Sequence, residues 1–166
     1  AIRMARAFGR LGVPLFEQPV PMSDIHGMKR LLSATAMTIA LDEAAIGIPF
    51  VVELIRREAV ECLAIKVSKV GGIHYARQMC DLAQYAGLKL IGSGLQDAPI
   101  GFAASVHVFA AYGMADPVVL NGPQFIARDY LREPFPMEGM AAVVPSGPGL
   151  GIEIDESTFE EFAQVM

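Results

Sequence analysis

Glu17, Asp42 and Lys66 each close an apolar run, and 25 and 24 residues separate them. The runs are Pro14-Leu15-Phe16, Met37-Thr38-Ile39-Ala40-Leu41 and Cys62-Leu63-Ala64-Ile65, each the length of one buried strand. Intervals of this size hold one strand and one helix, so the charges recur at the ends of successive units. In parallel α/β structures functional side chains gather at the carboxyl ends of strands, and these three are expected to face one mouth. Two carboxylates are hard oxygen donors suited to Mg²⁺, which takes a few carboxylates and leaves its other positions to water or substrate. A cation there would steady a substrate carboxylate while the neighbouring carbon loses a proton, and Lys66 is a residue type that can take that proton. The parts suit proton abstraction alpha to a carboxylate. Any one of these charges alone is weak evidence, because a carboxylate after a strand is commonly a turn residue or a helix cap.

The elements that must position them follow from the pattern around them. Ala1 to Phe8 reads as the end of an amphipathic helix running into Gly9-Arg10-Leu11-Gly12. After Glu17 the Gln18-Pro19-Val20-Pro21 turn leads to Ser23, expected to cap a helix that carries Met28, Leu31 and Leu32. A strand at 37–42 follows, then a loop to Pro49, a helix beginning at Phe50, and a strand at 62–67. Gly71-Gly72 turns into a helix from Ile73 to Tyr85, with Gly87 closing it. Strand 89–94, helix 100–112 and strand 117–121 complete five strand units with four helices between them. From about residue 122 the prolines and glycines describe a turn-rich excursion, and Asp155 or Ser157 can cap a final acidic helix at 157–165.

Five parallel strands suit either an open doubly wound sheet or part of a closed barrel. In an open sheet functional ends converge only near a switch in strand order, whereas in a barrel every strand end faces one mouth, so polar ends on consecutive strands favour the barrel. A complete barrel needs eight strands and roughly 250 residues. The expected fold is therefore α/β, a partial TIM-type (β/α) barrel, with 1–125 as its second half and 126–166 as a tail. A longer parent protein is expected.

The remaining signals exclude more than they assign. The 53% hydrophobic content and mean hydropathy of +0.42 fit parallel strands buried on both faces. No uncharged apolar stretch reaches the roughly 20 residues of a membrane helix. A net charge of -5 without a basic stripe argues against nucleic acid. Cys62 and Cys80 lie in no CxxC pair and read as buried, reduced thiols of a cytoplasmic protein. His26, His74 and His107 fall on helices, away from strand ends, and read as surface or packing residues. Gly147-Pro148-Gly149-Leu150-Gly151 looks like a dinucleotide loop only superficially, since no βαβ unit surrounds it.

The segments Phe16-Glu17-Gln18-Pro19, Ala40-Leu41-Asp42-Glu43, Ile65-Lys66-Val67-Ser68-Lys69-Val70-Gly71-Gly72 and Gly92-Ser93-Gly94-Leu95-Gln96-Asp97 resemble the enolase superfamily. Within it they are similar to the muconate lactonizing subgroup, often grouped with mandelate racemases. The resemblance covers nearly the whole chain and implies the last five strands of a (β/α)7β barrel, with a tail returning toward a capping domain. It implies Glu17 and Asp42 as Mg²⁺ ligands, Lys66 as the acid/base lysine, and Lys69 as a helper in the same turn. Asp97 matches an acidic residue that faces substrate or is hydrogen-bonded to the base; its plainer reading is an N-cap for the helix near Pro99. Glu43 is read as a carboxylate beside the ligands rather than a ligand. The family's first metal-binding Asp and its Lys-x-Lys motif have no counterpart in these residues. The implied activity runs through an enediolate to isomerisation, racemisation or epimerisation, cycloisomerisation or dehydration of a small carboxylate. Gly113-Met114-Ala115-Asp116-Pro117 lacks the Asp-x-Asp that holds a dipeptide ammonium group, so a hydroxyproline-like acid is preferred to a dipeptide. A homo-oligomer of the full-length protein is the expected assembly, and the chain alone is expected to be inactive.

Two other readings keep the same residues. Lys66 would be a Schiff-base lysine in an aldolase-type barrel, although paired carboxylates fit a metal better than imine chemistry. Alternatively the half-barrel is a non-catalytic assembly module, whose exposed parallel edges would make it pair or aggregate.

Overall fold

The strands follow one another across the sheet in sequence order, β1 (Leu15–Glu17), β2 (Thr38–Leu41), β3 (Cys62–Ile65), β4 (Lys89–Ser93) and β5 (Val118–Val119). The computed structural model describes residues 1–114 and 118–163. Helices α1 (Ile2–Arg10), α2 (Ile25–Ala34), α3 (Ile48–Arg56), α4 (Ile73–Tyr85) and α5 (Pro99–Ala111) alternate with the strands. A doubly wound sheet reverses its order at a switch point; this one does not, and its sequential parallel pairing is that of part of a (β/α) barrel.

The chain forms two compact units, Ala1–Ile65 with His74–Ile91, and Lys66–Ile73 with the residues from Gly92 onward. In the first, β1 pairs parallel with β2 (Phe16↔Ile39, Glu17↔Ala40) and β2 with β3 (Ala40↔Cys62, Leu41↔Leu63). All four residues of β3 are buried, and Ala40, Cys62, Ala64 and Ile91 form a core cluster on which Leu15 packs. Small residues dominate this cluster. The helices present apolar stripes at helical spacing: Met28 and Leu31 on α2, Val51 and Leu54 on α3, and Ala76, Met79, Cys80 and Ala83 on α4.

Several boundaries differ from the expected ones for local reasons. The cap of α2 is Asp24, not Ser23, because the Asp24 carboxylate accepts the Gly27 N–H at 2.8 Å, three residues into the helix. Helix α3 starts at Ile48 rather than Phe50, since Pro49 fits the first turn, where its missing N–H is not needed. Strand β3 stops at Ile65 because the next residues close turns instead, Val70 N–H to Lys66 O and Gly72 N–H to Val67 O. Helix α4 has the expected bounds.

In the second unit Gly92 and Ser93 pair parallel with Val118 and Val119. Helix α5 is apolar around most of its circumference, and Phe102, Ala103 and Val106 cluster with Phe135, Leu131, Ala142, Leu150 and Ile152 of the tail. The Phe102 and Phe135 rings meet edge to face at 4.8 Å. The tail, expected as turns, contains an antiparallel hairpin, β6 (Met137–Glu138) with β7 (Ala141–Ala142), whose Gly139 takes a φ of 61°. Helix α6 (Glu156–Ala163) is capped by Asp155, which accepts the Thr158 N–H at 2.9 Å; Ser157 is not the cap but donates to the same carboxylate.

Gly92 is required by close approach, since a Cβ there would lie 2.7 Å from the Phe109 ring on α5. Gly92→Ala is expected to destabilise the fold by about 1–3 kcal/mol, read as a lower urea midpoint. An unchanged midpoint would mean that Phe109 moves aside without cost.

Candidate functional site

In the first unit the register of β1 with β2 decides where the carboxylates stand. Glu17 is the last residue of β1, level with Ala40, and Asp42 is the first residue past β2. Two carboxylates therefore sit at the carboxyl ends of hydrogen-bonded neighbours. Glu17 is exposed, whereas Asp42 is only 8% accessible. Glu43 is exposed beside it.

Between the two ends lies Gln18, at a φ of 37°. This left-handed conformation costs a residue with a side chain on the order of 1–2 kcal/mol. The Gln18 N–H donates to Ala40 O at 2.8 Å. Its Oε1 accepts the N–H groups of Asp42 (2.9 Å) and Ala44 (3.2 Å), and its Nε2 donates to Val20 O at 2.8 Å. None of this was visible in hydrophobic periodicity, which marks Gln18 only as a turn residue.

The donor set suits Mg²⁺ as far as it goes. Hard carboxylate oxygens on adjacent strand ends match a cation that binds through one or two carboxylates and keeps waters or substrate oxygens elsewhere. Among the described residues no group of three His, Cys, Asp or Glu side chains gathers to hold a metal. A cavity of about 600 Å³ beside Arg6, Arg10, Val13, Met37 and Thr38 opens at the entry ends of β1 and β2, opposite to Glu17 and Asp42.

In the second unit Lys66 directly follows β3 and Asp97 follows β4 by four residues. Asp97 is 6% accessible, and its carboxylate accepts the Ser68 Oγ–H at 3.0 Å. Burial holds its carboxyl above the usual carboxylate range, while the Ser68 hydrogen bond and the Lys66 charge pull the other way. Its main-chain N–H donates to Leu95 O (2.9 Å) and Asn121 O (3.0 Å), and Asn121 Nδ2 donates to Gly94 O at 3.3 Å. Gly94 leaves room for this arrangement, because a Cβ there would stand 3.1 Å from Asp97 Oδ2. The N-cap reading of Asp97 is corrected: Ala98 occupies the cap of α5 and no side chain caps it. Lys69 is half-buried in the turn closed by Gly71 and Gly72, both at positive φ. Ser68 was missed, although its place two residues after Lys66 was legible.

Cys62, Cys80 and the histidines occupy packing and surface positions. Burial pushes the Cys62 thiol up to about 11 and the Cys80 thiol up to about 12, so both stay protonated near neutrality. His26 and His74 lie exposed on α2 and α4, and His107 on α5 is in hydrogen-bond contact with Leu150 O at 3.0 Å. Ala115, Asp116 and Pro117, on which the argument against a dipeptide turns, lie outside the described residues.

The sequence model of the family described as "Enolase C-terminal domain-like" matches residues 1–158. The chain belongs to this family. Enolase C-terminal domain-like relatives include muconate cycloisomerase 1 of Acinetobacter baylyi, 30% identical over 151 residues, which are 90% of this chain and 41% of that protein. Muconate cycloisomerase 1 of Rhodococcus opacus is 32% identical over 145 residues, 87% of this chain and 39% of its own length. The structure of muconate lactonizing enzyme from Pseudomonas putida superposes with a TM-score of 0.84 at 27% identity, over 97% of this chain and 45% of that one. The chain thus spans less than half the length of the relatives it matches.

A carboxyl held above its unfolded value keeps its proton longer in the folded state, so stability falls as pH rises from about the ordinary Asp value of 3.8 through the folded pKa. Asp97→Asn is expected to flatten that fall in urea unfolding midpoints measured across the acid range. Ser68→Ala, which removes a hydrogen bond to the charged form, is expected to extend the fall to higher pH. An identical pH profile for Asp97→Asn and the unmodified protein would contradict the buried-carboxyl assignment.

Proposed function

We propose that this chain carries part of the active site of an enzyme that, with Mg²⁺, removes a proton alpha to the carboxylate of a small acid. Isomerisation, racemisation or epimerisation, cycloisomerisation and dehydration all begin with that step, and the relatives named as muconate cycloisomerases favour the cycloisomerase branch. The observation that carries the reading is the family match across residues 1–158, which includes a carboxylate or lysine at the end of each of β1, β2 and β3.

Glu17 and Asp42 are the residues that would hold the cation. A Mg²⁺ ion held there would supply positive charge to orient the substrate carboxylate and to offset the charge that builds as the proton leaves. Lys66 takes the proton on Nζ and can return one to the product. Asp97 holds negative charge or a proton close to Lys66, with Ser68 and Asn121 fixing its position. Glu43, next to Asp42 in the chain, and Lys69, three residues after Lys66, would assist them. Among the described residues no helix is long and apolar enough to cross a membrane.

The test is solvent exchange. A panel of small carboxylates incubated in D₂O with Mg²⁺ and the whole enzyme that carries this chain is expected to gain deuterium at the alpha carbon. Lys66→Ala is expected to lower that exchange by roughly 10²–10⁴-fold, and chelation of Mg²⁺ to abolish it. Exchange that persists in Lys66→Ala at the original rate would refute the base assignment.

A further inference from the structure

We propose that Gln18 is a positioning residue for the two-carboxylate centre, setting where Asp42 stands relative to Glu17. The inference rests on the reading of Glu17 and Asp42 as cation ligands. Gln18 follows Glu17 directly, so its main chain belongs to the end of β1; its side chain reaches across to the main chain at the end of β2. One oxygen, Oε1, takes the N–H of Asp42 and that of Ala44, just past the last ladder residue Leu41. The amide nitrogen donates to Val20 O, which fixes which way the carboxamide faces: turned over, it would set a donor against two donors. Each end of the pair is thereby tied to the other by a single side chain.

The backbone argues that this side chain is retained for what it holds. A turn with a φ of 37° at position 18 is one that glycine adopts without strain. Glycine would relieve the strain and lose the link to Asp42. Glutamate would keep an acceptor for Asp42 and Ala44 but could not donate to Val20 while ionised. Glutamine alone of the three serves both contacts without adding charge beside the ligands.

Manganese, which reports its own binding through its paramagnetic resonance signal, gives a readout independent of turnover. The protein is titrated with Mn²⁺ as Gln18→Gly, Gln18→Glu, Glu17→Gln and Asp42→Asn variants, with hydrogen exchange followed at the Asp42 and Ala44 amides. Gln18→Gly is expected to bind Mn²⁺ roughly 10- to 100-fold more weakly, with faster exchange at both amides. Gln18→Glu, which keeps the acceptor, is expected to retain protection of those amides and most of the affinity. If Glu17→Gln and Asp42→Asn weaken binding while Gln18→Gly leaves it within about two-fold, far short of that loss, Gln18 is a turn residue and the proposal fails alone. It also fails if both Gln18 variants weaken binding equally. If the unmodified protein binds no Mn²⁺, or Glu17→Gln and Asp42→Asn leave its affinity unchanged, the cation reading falls and this proposal with it.

Discussion

Parallel pairing of β1 with β2 is the constraint from which the rest follows. Its register sets Glu17 level with Ala40, and the chain beyond Leu41 then delivers Asp42 at the neighbouring strand end. A slip of one residue would turn Glu17 toward the opposite face of the sheet and separate the two carboxylates. The buried face resists that slip, because Ala40 and Cys62 are both fully buried in the same cluster as Leu15 and Ile91. Core packing and site geometry are therefore one requirement: the contacts that hold the strands in register also hold Glu17 and Asp42 at the ends of neighbouring strands.

The second unit solves a different problem. Asp97 is a carboxyl in a mostly dry place, and burial alone would favour its neutral form. A hydroxyl from Ser68 and the charge of Lys66 oppose that, leaving a group whose protonation balances competing influences. Carboxyls perturbed by burial together with a specific charged neighbour cluster at functional sites. The surrounding main chain is tied down by Asn121 and by the absence of a side chain at Gly94, so the carboxyl keeps one orientation.

How much of this was legible depends on the distance over which each feature is decided. Strand and helix identity follow from apolar runs and helical stripes, so α4 was found residue for residue and the sequential strand order was anticipated from polar strand ends. Ends decided by a single hydrogen bond were not: Asp24 outcompetes Ser23 through its reach to Gly27, and the turn after Ile65 shortens β3. The β6–β7 hairpin has strands of two residues, too short to show alternation. Glu17, Asp42 and Lys66 were visible because charges closing successive apolar runs recur at intervals of 25 and 24 residues. Gln18 and Ser68 were not singled out, because a neutral polar residue in a turn looks alike whether it is solvated or spans to another strand.

The central proposal is that Glu17 and Asp42 would both ligate one divalent cation. Crystals grown with Mn²⁺ and measured at its absorption edge test it directly. The account predicts an anomalous peak in coordination contact with a carboxylate oxygen of each residue. A peak that touches neither carboxylate would contradict it.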